Sequence, residues 1–171
     1  MQRLTHLIAA LAAAVALAAT LPALAAAGTT SSLEIVSSGS LLDRSTIHPG
    51  PGLGTAAATL SGGIFDSSGA IETSGRLTID VVFSGAAPDS DVVHGSATFT
   101  TETGSFTLQF QALHLPFSNP VFDGSWVLTK AGGAYTGMHA TGSVEFTVHG
   151  ELGPNPIIDA VWNGSAHTDP S

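Results

Sequence analysis

Among the side chains whose type and position could do chemistry, His114 comes first. It follows Phe106, Leu108, Phe110 and Ala112 at two-residue intervals, so strand alternation carries its imidazole to the apolar, inward side near the strand's end. An imidazole in such a place can orient a ligand or move a proton near neutral pH. Phe110, Trp126 and Phe99 supply the aromatic surfaces expected beside it, and with His114 they form the expected ligand-binding set. Trp126 shares a face with Leu128, an arrangement that serves core packing as readily as ligand stacking. His94 and His149 have the opposite parity to their apolar neighbours and are expected to point outward. Asp89-Ser90-Asp91 offers oxygens that suit Ca²⁺ but lacks the further ligands and glycine of a dedicated loop, and it reads as a solvated turn. The chain has no G-x-S-x-G elbow, no H-E-x-x-H, no phosphate-cradling glycine loop and no His pair at metal-ligand spacing. No catalytic residue, metal or cofactor is assigned on this basis.

Strands must position these groups. Between Gly104 and Phe146 a Gly-Ser pair precedes an apolar-alternating run three times, at Gly104-Ser105, Gly124-Ser125 and Gly142-Ser143. Period-2 runs punctuated by glycine are strands that turn or let another backbone approach closely. About eight strands are predicted along the chain, at 33–37, 55–65, 75–84, 92–101, 105–114, 125–130, 142–152 and 157–165. The third has the cleanest alternation, with Leu77, Ile79, Val81 and Phe83 on one face. The second is expected to place Ala56, Ala58, Leu60 and Ile64 together. Loops are predicted at 48–54, 85–91 and 115–122, each rich in proline, glycine or polar residues. No stretch after the N-terminal segment has a helical period. Antiparallel strands with one apolar face each predict a single all-β domain over 26–165, a small antiparallel barrel with a β-sandwich as the alternative, and a frayed tail over 166–171. Glycines beside the strands, where a small barrel must bend, favour the barrel, and closure protects edges that this lysine-poor chain could not.

The N-terminal segment has its own logic. Arg3 precedes an uncharged apolar run from Leu7 to Leu21, then Pro22 and the small-large-small order Ala23-Leu24-Ala25. This is the order of a secretory signal peptide, so residues 1–25 are expected to be removed and the protein to be secreted or periplasmic. No later segment reads as a membrane-spanning helix. The absence of cysteine means that an exported fold must rest on core burial alone. Thirteen acidic residues against four basic ones give a formal net charge of −9, and Arg44, Arg76 and Lys130 are the only cations after the leader. Without clustered Lys and Arg a nucleic-acid partner is not expected.

Two stretches carry a family resemblance: GSFTLQ at 104–109, and FDGSWVLTKAGGAYTGMHATGSVEF at 122–146. They resemble a bacterial family of small β-barrels of unknown function, with a Gly-Ser-Phe-x-Leu-Gln strand, a Gly-x-Trp strand and a glycine-rich turn, here Ala131 to Gly142. The glycine-turn barrel is similar to the allene oxide cyclase and dirigent group. No catalytic motif of those enzymes falls on numbered positions of this chain. Together these readings imply an exported barrel that binds a small apolar molecule without transforming it. The alternatives are a cyclase or isomerase using His114, and a structural or interaction protein with a filled core. Small inward residues (Ala56, Ala58, Ala97, Ala112) leave room for a cavity, whereas Phe83, Phe99, Phe106, Phe110 and Trp126 can fill it.

Overall fold

A computed structural model describes residues 29–47, 54–87, 90–114, 121–149 and 156–169, with backbone alone at 41–47, 54–56, 85–87, 90, 91 and 114. Eight strands run in chain order: β1 (Ser31–Ile47), β2 (Gly54–Gly69), β3 (Thr73–Ala87), β4 (Ser90–Thr100), β5 (Gly104–His114), β6 (Val121–Gly133), β7 (Met138–His149) and β8 (Ile157–Thr168). Each pairs antiparallel with the next, and β8 pairs with β1 to close the barrel. Closure removes both sheet edges, as the sequence requires. Residues 48–53, 88–89 and 115–120 of the expected loops, residues 150–155 with the predicted end of the seventh strand, and the expected leader lie outside the described residues.

Several strands outrun their predicted ends. β1 continues through the serine-rich stretch after Ser37, where no apolar alternation exists, because β2 and β8 both offer it backbone partners. β6 begins at Val121, inside the expected loop, and β3 and β4 extend into the expected 85–91 loop. β8 runs to Thr168, so Ala166, His167 and Thr168 belong to the barrel rather than to a frayed tail, and Ala166 is buried.

One facing prediction is overturned. Ile64 was expected inward with Leu60, yet it is 65% exposed while Phe65 is 2% exposed. Pairing steps from Leu60↔Ile79 to Gly63↔Leu77, so β2 carries one extra residue against β3. That bulge, with Gly62 at φ 77°, reverses the parity of everything after it.

Apolar side chains fill the inside and polar ones coat the outside, the reverse of the polarity a lipid-embedded barrel needs. Along the axis runs a column of rings. Tyr135 meets Phe106 edge-on at 5.2 Å, Phe106 stacks on Phe99 at 4.9 Å, and Phe99 meets Trp162 at 5.7 Å. Trp162 then contacts Phe110 at 5.6 Å and Phe146 at 5.1 Å. Such pairs contribute about 0.5–1.5 kcal/mol each beyond the burial of their area. The indole N–H of Trp162, wholly buried, donates to Ser37 Oγ at 3.1 Å, which satisfies the core's one buried polar side chain among the described residues. The small inward residues are thus matched by rings rather than by empty space.

Candidate functional site: an apolar mouth over an aromatic floor

The two ends of the barrel differ. At one end the β6–β7 turn folds Tyr135 inward, where it is 9% exposed and its hydroxyl lies 3.0 Å from Thr101 Oγ1. Gly133 and Gly137, at φ 66° and 79°, allow this tight turn, and Ala134 N–H donates to Thr103 O across to the β4–β5 connection. Burial raises the Tyr135 pKa, but hydrogen bonds from Thr101, Thr103 and Thr73 outweigh it and leave the phenol below its usual range. Ile71 and Met138 are buried at the same end. That end is sealed.

At the other end the described residues line an apolar mouth. Its floor is made by Leu60, Ile79, Val81, Val93, Phe110 and Phe146, all buried, and its rim by the half-buried Phe83, Phe122, Val148 and Ile158. Phe110 and Phe146 lie 5.0 Å apart and rest on Trp162, so nothing inserted here passes deeper without moving the column. The mouth holds about 30 Å³, the room of one or two water-sized groups. All ten lining side chains are hydrocarbon or aromatic. They offer shape and favourable transfer from water, at about 25 cal/mol per Å² buried, rather than proton transfer.

Of the four residues expected to bind a ligand, Phe110 lines the mouth. Phe99 sits mid-column, sealed from it by Trp162 and Phe110. Trp126 packs sideways within the wall: its ring lies against Gly164, which pairs with Gly142, and its N–H donates to Ser143 O at 2.8 Å. The backbone of His114 pairs with Phe122 on β6 and with Asp91 on β4, beside the rim, and its side chain lies outside the described residues. His94 and His149 face outward as expected. Of the Asp89-Ser90-Asp91 group, Asp89 and the side chains of Ser90 and Asp91 lie outside the described residues.

Sequence reasoning missed Trp162, Phe122, Phe146, Val148 and Ile158. Trp162 shares a two-residue period with Ile158 and Ala160, a signal available in the chain. Its meeting with Phe99 and Phe110 across the barrel depends on strand stagger, which no local pattern encodes. Among the described residues no helix is long and apolar enough to cross a membrane. No protein-family model matches the chain, and no curated protein matches it.

Proposed function

We propose that the protein is an exported barrel that binds a small apolar ligand, or the apolar end of a larger one, at its mouth and does not transform it. One observation carries this reading: a rim of four half-buried apolar side chains over an apolar floor that rests on the ring column, with no polar side chain among the ten described residues that line it. Burying that rim under a ligand supplies the driving force. The resemblance of the 104–109 and 122–146 stretches to small exported β-barrels belongs to the same proposal, as do the signal peptide and the lack of a nucleic-acid partner. A cyclase or isomerase would need a polar group at the mouth, and His114, whose backbone pairs beside the rim, is the candidate that the sequence offers for it. The filled column favours a second reading, an interaction protein that works through its outer wall.

The test is native mass spectrometry of the exported protein for a co-purified apolar molecule, followed by titration with anilinonaphthalene sulfonate. Val148→Trp, which fills the mouth from its rim, is expected to abolish the fluorescence gain while the fold persists. Wild-type protein that takes up no apolar probe overturns the proposal, as does a Val148→Trp variant that binds undiminished.

A further inference from the structure

The seven histidines form no local metal motif along the chain, but the barrel brings two of them together. His139 on β7 lies directly opposite His167 on β8, on the outer wall at the sealed end. Side chains paired in this way start about 5 Å apart at Cβ. The two imidazoles face one another nearly parallel, with ring centres 5.2 Å apart and planes 18° apart. Asp169, just past the end of β8, reaches back to His139, and its Oδ2 lies 3.1 Å from the imidazole Nε2. The Asp169 backbone is itself anchored, because its N–H donates to Gly137 O at 3.0 Å. The β7–β8 ladder and the turn at Gly137 therefore hold the stems of all three side chains in place.

We infer that His139 and His167 form a surface site for a divalent transition-metal ion, Cu²⁺ above all, with Asp169 as a positioning residue. A neutral imidazole offers an in-plane nitrogen lone pair, and such nitrogens suit Cu²⁺, Ni²⁺ and Zn²⁺ rather than Ca²⁺ or Mg²⁺, which take oxygen. Metal–nitrogen bonds of about 2 Å require the two nitrogens to stand about 3 Å apart. The rings must turn their edges together by about 2 Å, and both are exposed and rotate about a broad χ2 well. Asp169 engages Nε2 of His139, which leaves Nδ1 for the ion. A histidine ligand commonly gives its other ring N–H to a carboxylate in this manner. Among the described residues no group of three His, Cys, Asp or Glu side chains could hold a metal ion, so this site supplies two nitrogens and water completes the shell. Two nitrogens with open positions suit the tetragonal preference of Cu²⁺, which the Irving–Williams order also places above Ni²⁺ and Zn²⁺. The net charge of −9 favours the approach of a cation.

Isothermal titration of the mature protein with CuCl₂ in a non-coordinating buffer tests the site, with circular dichroism to check the fold of each variant. One equivalent of Cu²⁺ is expected to bind, more tightly than Ni²⁺ or Zn²⁺, and its electron paramagnetic resonance spectrum should carry nitrogen hyperfine splitting. His139→Ala and His167→Ala should each weaken binding about tenfold or more, whereas His94→Ala and His149→Ala should leave it unchanged. Asp169→Ala should weaken it about threefold, and Asp169→Asn, which keeps an acceptor for the ring N–H, should weaken it less. The inference is overturned if CuCl₂ does not bind at millimolar concentration, if the protein lacking both His139 and His167 binds as wild type, if the bound ion shows no nitrogen coupling, or if Zn²⁺ binds more tightly than Cu²⁺. Unchanged binding and spectrum in Asp169→Ala would overturn the positioning role.

Discussion

Gly142→Ala should destabilise the barrel severely, and the reason can be read from the β7–β8 contact. A Cβ on Gly142 would stand 1.9 Å from Asn163 O and 2.6 Å from the Gly164 Cα, both backbone atoms of the neighbouring strand. Ordinary contacts to a Cβ begin beyond 3 Å, so the strands would have to separate by about 1 Å or more. No flexible side chain can move aside to absorb that. Parting them also disturbs Trp126, whose ring lies against Gly164 and whose N–H is held by Ser143 O. Overpacking of this kind costs about 1–3 kcal/mol and occasionally more, and a backbone-on-backbone clash belongs at the upper end, near 3 kcal/mol. For a domain of this size that corresponds to a fall of roughly 6–12 °C in Tm. Gly132→Ala is the internal control, because nothing lies within 4 Å of its added methyl and its change should stay within about 0.5 kcal/mol. Urea unfolding followed by circular dichroism measures both variants. A Gly142→Ala protein as stable as Gly132→Ala would refute the tight-packing argument.

Trp162→Phe removes the donor to Ser37 and should cost about 1–3 kcal/mol for the unpaired hydroxyl alone; adding Ser37→Ala should recover part of it, which a double-mutant cycle in urea would show. Tyr135 is the only tyrosine, so its ultraviolet titration should show a pKa below the usual 10. With its folded pKa depressed, this group's ionisation adds stability as pH rises through that value, the gain is full above 10, and it is lost again as pH falls; a pKa above 10 would contradict the hydrogen-bonded arrangement. His114→Leu should preserve the circular dichroism spectrum and weaken uptake of a fluorescent lipid analogue, and unchanged uptake would remove His114 from the site.

Much of the barrel was legible because local rules and global fold agree. The alternation of Leu77, Ile79, Val81 and Phe83 became the inward row of β3, with Phe83 at the rim, and the parity of His94 and His149 placed both outside. The failures have physical causes. A one-residue bulge at Gly62 reversed the parity beyond it, so Phe65 rather than Ile64 entered the core. The serine-rich part of β1 gave no apolar signal because its backbone partners, not its side chains, make it a strand. Phe99 and Phe110 were both recognised as inward, but their separation by Trp162 arises from rings meeting across the barrel axis. The site was legible only in part for that reason: a mouth assembled from β2, β3, β4, β5, β6, β7 and β8 is set by strand stagger, and only Phe110 was named for it beforehand.

Tyr135 seals one end of the barrel, and the proposed function makes the other end receptive to apolar matter. Methyl-resolved NMR during titration with 1-octanol tests it most directly. Shifts are expected at Ile79, Val81, Val93, Val148 and Ile158, with Leu33, Ile35 and Ile71 unmoved. No shift at the mouth methyls, or equal shifts at both ends, would contradict it.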